Sequence, residues 1–108
     1  MNVQALKTHK IMPSVQSLVS VLDDYLTAFT DGCILAVTSK IVALCEGSVV
    51  PVGASDQQTL IEQEADAFLP PTANRYHVTL TIKHGLLIPN AGIDESNGAG
   101  YHVLWPRD

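Results

Sequence analysis

Three groups of residues in this 108-residue chain carry side chains of a kind that does chemistry. The first is Thr38-Ser39-Lys40, set between an apolar run and a segment of helical character. Two hydroxyls, an ammonium and the free N–H groups of a helix start could hold phosphate oxygens there. The glycine spacing of a P-loop is missing, so the residues alone read first as an N-cap followed by a solvated lysine. The second group is Asn90-Ala91-Gly92-Ile93-Asp94-Glu95-Ser96-Asn97, whose small residues let the backbone turn closely around carboxylate and amide oxygens. That oxygen set suits a hard cation such as magnesium, and it suits a tight loop closed by Asx turns equally well. The third group is His9, His77, His84 and His102, which show no metal-ligand spacing and read as surface or strand-edge residues without a role. Cys33 and Cys45 are too far apart for a C-x-x-C element, and each lies in an apolar run. They are expected to be buried free thiols of a reducing compartment.

The elements that must position these groups follow from hydrophobic periodicity. Val3 to Ile11 alternates weakly and predicts an opening strand. Pro13-Ser14 reads as a turn and N-cap, followed by Val15, Leu18, Val19, Leu22, Tyr25, Leu26 and Phe29 at helical spacing, which predicts a helix over 15–29 closed at Asp31-Gly32. Cys33 to Val37 is continuously apolar, as in a strand covered on both faces. A short helix carrying Ile41, Val42 and Cys45 inward should end at Glu46-Gly47, before a strand from Ser48 to Val52. Ser55 and Gln58 have the form of a capping box for a second amphipathic helix over 56–69, stopped by Pro70-Pro71. Residues 72–76 read as a loop. Val78, Leu80 and Ile82 alternate with Thr79, Thr81 and Lys83, and Leu86-Leu87-Ile88 resumes after Gly85, so two antiparallel strands with one buried apolar face are expected. An ordered loop over 89–100 and a strand from Tyr101 to Trp105 complete the reading, with Trp105 expected to pack on something further along. The class is mixed α/β, with a mixed sheet and two main amphipathic helices. There is no internal repeat, linker or low-complexity segment.

Six basic against eleven acidic residues give a net charge of -5, which argues against nucleic acid and anionic lipid as partners. A local anion site is compatible with that charge, since helix-start amides bind phosphate without net positive charge. No export signal and no apolar stretch of bilayer length is visible, so the cytoplasm is expected. One domain, or a fragment of one, fits the length.

The runs Ile34-Leu35-Ala36-Val37-Thr38-Ser39-Lys40-Ile41-Val42, Cys45-Glu46-Gly47, Leu86-Leu87-Ile88-Pro89, Ala91-Gly92-Ile93-Asp94-Glu95-Ser96-Asn97 and Val103-Leu104-Trp105-Pro106 stand in one order across nearly the whole chain. At these residues the sequence resembles the F-420-0:γ-glutamyl ligase family, and more closely its bacterial branch described as a folate-metabolism γ-glutamate ligase. The A-G-I-D-E-S-N run is the specific part. The resemblance implies an α/β ligase that uses GTP or ATP with magnesium or manganese, and joins L-glutamate to a carboxylate-bearing acceptor through an acyl phosphate. It also implies an active site formed between the subunits of a homodimer. Asp94 matches a family metal ligand. Thr38, Ser39 and Lys40 match the family's nucleotide-binding turn, and residues around His9 to Met12 correspond loosely to a second nucleotide-contacting loop.

Two departures qualify the match. Leu44 stands where the family often has a lysine, leaving Lys40 as the candidate for that charge. The family's remaining metal ligands lie in a T-D-x-x-G-R type region that this sequence does not contain. The expectation is therefore the N-terminal portion of such a ligase, inactive by itself. The alternative is a stand-alone nucleotide- or metal-binding domain, or a structural domain, without catalysis.

Overall fold

A computed structural model describes residues 2–95 and 99–107. The mixed α and β class is as expected: three helices, α1 (Leu18–Tyr25), α2 (Ser39–Glu46) and α3 (Gln57–Glu64), and five strands, β1 (Val49–Pro51), β2 (Ala67–Leu69), β3 (Leu80–Lys83), β4 (Leu86–Pro89) and β5 (Tyr101–Val103). Both sheets are antiparallel, one ordered β1-β5 and the other β2-β3-β4, in place of the single mixed sheet expected. The chain divides into two compact units, one running to Ser48 and taking up the segment from Pro106, the other spanning Val49 to Trp105. No helix among the described residues is long and apolar enough to cross a membrane.

In the first unit α1 starts later and ends earlier than its apolar periodicity suggests. Ser14 has a left-handed backbone (φ 57) and donates its N–H to the Leu44 carbonyl at 2.9 Å, which spends it on a turn. Ser17 caps the helix instead, its hydroxyl accepting from the Ser20 N–H at 3.1 Å. Val21 is buried, while Val15, Val19 and Phe29 are exposed. Helix α2 begins at Thr38, whose hydroxyl accepts from the Ile41 N–H at 3.4 Å, and closes at Gly47 as expected. Gly47 takes φ 71, a left-handed backbone that favours glycine, and a Cβ there would make the Ser14 hydroxyl rotate away.

The strand expected over Cys33 to Val37 is absent. Cys33 to Ala36 are exposed, Ile34 to 93%, and the backbone carries no strand pairing. An apolar run becomes an interior strand only when neighbouring strands take both its edges and other layers cover both its faces. Every described strand pairs within Val49 to Trp105, and none of them pairs with this run. The opening strand over Val3 to Ile11 is likewise irregular backbone.

The second unit builds its core from Leu60, Ile61, Ala91 and Ile93, with Val50, Ala65 and Leu104 packed against them. Helix α3 is capped by Asp56, not Ser55: the Asp56 carboxylate accepts from the Thr59 N–H at 3.0 Å. The helix stops at Glu64, because Ala65 turns extended (φ -85, ψ 140) and the residues expected to continue it pair as β2 with β3. Strands β3 and β4 form the expected hairpin, joined by His84-Gly85, both with positive φ, as a two-residue turn of this twist requires.

The buried side of that hairpin is the reverse of the expected one. Thr79, Thr81 and Lys83 point inward at 2%, 1% and 5% exposure, while Leu80 and Ile82 are left at 36% and 37%. Each buried polar group is satisfied. Thr79 donates to Gln58 Oε1 at 2.9 Å, Thr81 donates to the Ile88 carbonyl, and Lys83 reaches the Glu64 carboxylate at 2.5 Å. With partners supplied by α3 and β4, hydrogen bonding and ion pairing settle which face turns in.

Candidate functional site

Thr38, Ser39 and Lys40 open α2 as the sequence suggests, at the positive end of an eight-residue helix. Thr38 and Ser39 are exposed and Lys40 is half-buried. The Thr38 carbonyl accepts from the Ile41 and Val42 N–H groups at 3.0 and 3.3 Å. With the Thr38 hydroxyl engaged as the cap, Ser39 supplies the uncommitted hydroxyl chemistry of the turn, and the first-turn amides lie where an anion would approach. Met12 belongs to the same unit, exposed at 38%, its carbonyl accepting from the Val15 N–H at 3.4 Å.

The loop that leads to Asp94 is built much more tightly than its composition requires. Asn90, Ala91 and Gly92 run through three successive left-handed conformations, φ 53, 53 and 72. Asparagine and glycine accept this backbone readily, and alanine at a cost of about 1 kcal/mol or more. Hydrogen bonds hold the turn. The Asn90 N–H donates to the Thr79 carbonyl at 2.8 Å and the Asn90 amide oxygen accepts from the Thr79 N–H at 3.2 Å, extending the β3 edge. The fully buried Ala91 donates its N–H to the Thr81 hydroxyl at 2.8 Å. Beyond the turn, Asp94 exchanges both backbone hydrogen bonds with Val103, at 3.0 and 2.8 Å. Trp105 packs on Gly92, its Cε3 lying 2.5 Å from where a Cβ would stand. Asp94 is thus half-buried on a fixed backbone and Glu95 is exposed, while Ser96 and Asn97 lie outside the described residues.

The histidines behave unequally. His77 and His84 are exposed, as expected. His102 is not a surface residue: on β5 it is 3% exposed, and its Nδ1 makes no hydrogen bond but faces the Glu95 carboxylate across 3.8 Å. His9 is exposed yet sits in a chain of side-chain hydrogen bonds. Its backbone N–H and Nδ1 both meet the Tyr25 hydroxyl, at 2.7 and 2.5 Å, Nε2 meets Gln16 Oε1 at 2.7 Å, and Gln16 donates to Asp24 at 3.0 Å. Nothing local in the sequence marks a pairing across sixteen residues. Of the two thiols, both free, Cys33 is exposed and Cys45 half-buried. The buried pair expected from apolar flanks therefore fails at Cys33 together with its strand. Burial, and then the nearby Glu46 carboxylate, push the Cys45 thiol up from its ordinary value and keep it protonated.

Among the described residues no three His, Cys, Asp or Glu side chains gather as a metal cage. One half-buried carboxylate on a rigid loop instead fits a hard cation that takes most of its ligands from water and phosphate oxygens. No family model matches the chain, and no solved structure matches it.

Proposed function

We propose that this chain is the nucleotide-facing, N-terminal portion of a cytoplasmic γ-glutamyl ligase that works as a homodimer. Its co-substrates are GTP or ATP and L-glutamate, and its acceptor is a carboxylate of the coenzyme F-420-0 or folate type. The observation that carries the reading is the A-G-I-D-E-S-N run, whose first half forms the braced left-handed turn that ends at Asp94. A loop needing only to reverse the chain has no use for a left-handed alanine between Asn90 and Gly92, whereas a metal ligand needs a fixed backbone.

In this reading the amides at the start of α2, with Ser39 and Lys40, bind and orient the nucleotide phosphates. Thr38 keeps those amides in place by capping the helix, and Met12 offers an apolar contact to the nucleotide. Asp94 would hold magnesium or manganese, which would supply charge neutralisation on the phosphates. An acceptor carboxylate oxygen attacks the terminal phosphorus, the nucleoside diphosphate leaves as the phosphoanhydride bond breaks, and an acyl phosphate results. The glutamate α-amine attacks that acyl carbon, inorganic phosphate leaves, and the amine gives up a proton as the amide forms. Positioning and charge stabilisation are the protein's share of such a transfer.

Asp94→Asn tests this directly. Manganese titrated into the chain, followed by its paramagnetic resonance signal, should bind on the order of tenfold or more weakly in the variant, with an unchanged circular dichroism spectrum. In the full-length ligase the same change should slow turnover on the order of a hundredfold. Equal manganese affinity in the two proteins would reduce the loop to a turn.

A further inference from the structure

The β2-β3-β4 sheet carries its apolar side outward. Cross-strand partners share a face, so the pairs Leu69 with Leu80, Leu80 with Pro89, Ala67 with Ile82 and Ile82 with Leu87 set six apolar residues side by side. All six are exposed, Leu87 to 71% and Leu69 to 57%. An open depression of about 430 Å³ lies here, lined by Phe68 and five of the six. The polar side of the same sheet is buried and satisfied, so flipping the sheet would strand Thr79, Thr81 and Lys83 without partners. The outward apolar face is a settled feature of this unit.

Its size and composition fit a second copy of this chain. The exposed parts of these side chains amount to on the order of 500 Å² of contiguous apolar surface, near the top of the range for the largest patch on a monomer. A homodimer interface of standard size takes about 800 Å² from each partner, about 65% of it apolar, which again is on the order of 500 Å². The face holds no charge and no side-chain hydrogen-bonding group, so nothing on it selects a polar or charged ligand. A two-fold interface must complement itself, and an uncharged sheet face does so by stacking on its own copy at about 10 Å. The net charge of -5 opposes contact between copies over charged surface and leaves this face as the favourable one.

We propose that two copies of this chain associate by packing the outer faces of their β2-β3-β4 sheets against each other. The proposal deepens the homodimer part of the ligase reading by naming its interface, and its failure is separable from the failure of that reading. Sedimentation equilibrium should find the wild-type chain dimeric at tens of micromolar. Leu87→Asp and Leu69→Asp each place a charge in the apolar centre and should weaken the dimer on the order of a hundredfold or more, leaving a monomer with the parent circular dichroism spectrum. Ile34→Asp, at an exposed apolar residue outside the sheet, should leave the dimer intact. If an aspartate variant fails to fold, Leu87→Asn and Leu69→Asn are read in its place. A monomeric wild type, or a dimer that survives both face variants, overturns the interface. A monomer whose manganese binding still depends on Asp94 overturns the interface alone; a face-dependent dimer indifferent to Asp94→Asn overturns the metal assignment alone.

Discussion

Lys83 is a charge taken out of water. Its side chain is 6% accessible, and its ammonium is held by the Glu64 carboxylate at 2.5 Å and the Glu64 carbonyl at 3.2 Å. Glu64, at 31%, keeps contact with solvent. The two partners should therefore respond unequally to truncation. Glu64→Ala leaves a buried ammonium without its counter-ion and should cost about 2–3 kcal/mol, somewhat below the figure for a fully buried pair. Lys83→Met removes the buried charge, fills the same space and leaves a carboxylate that water can reach, so it should cost less than about 1 kcal/mol. Urea midpoints at constant slope measure both, and a larger loss for Lys83→Met than for Glu64→Ala would mean the pair is not buried as described.

At the scale of elements, the short regular pieces are held by what lies between them. Three of the eight named helices and strands flank the 90–95 loop or pair through it: β3 through Thr81, with Thr79 just before it, β4 through Pro89, and β5 through Val103. Gly92 is the point where these meet Trp105. Its φ of 72 disfavours any side chain, and a Cβ would stand 2.5 Å from the indole ring. Gly92→Ala should therefore cost at least about 2 kcal/mol, combining left-handed strain with displacement of the ring. It should also shift the Trp105 fluorescence maximum, since the half-buried indole must move. Gly53→Ala makes a useful comparison, because Gly53 has a similar φ of 91 but open space around it, so only the strain is lost. Equal losses for the two would show that the Trp105 contact carries no weight.

For the whole molecule, the ligase reading requires residues this sequence does not contain. Asp94 offers one carboxylate, and the described residues hold no cage of three such side chains. The 108-residue chain should accordingly bind manganese and nucleotide but form no γ-glutamyl product above a control lacking nucleotide, assayed by mass with F-420-0 and folate as acceptors. Product formed by this chain would overturn the fragment reading and favour a complete enzyme. The division into two compact units bears on stability as well, because the Cys33 to Ala36 stretch is exposed backbone outside every sheet. The Ile34 to Ala36 amides should exchange with solvent far sooner than the buried Thr81 and Val103 amides.

Local stereochemistry was legible in the sequence at several points, though not at the caps read for Ser14 and Ser55, which fall to Ser17 and Asp56. Thr38 caps α2 and Gly47 closes it, the two-residue His84-Gly85 link makes a hairpin, and the Asn-Ala-Gly run makes an ordered turn. Each of these depends on bonds and sterics within a few residues, which the order of side chains states outright. Burial was not legible. Apolar content marked Cys33 to Val37 as an interior strand and the Leu80 side of β3 as its inner face, and both lie exposed. Which surface is covered depends on partners distant in sequence. No described strand pairs with the first, and Gln58 and Glu64 of α3 hold Thr79 and Lys83 of the second inward. His102 and the His9–Tyr25 pair were hidden for the same reason. Hydrophobicity states only that a side chain gains by leaving water, and the tertiary structure decides which side chains find somewhere to go.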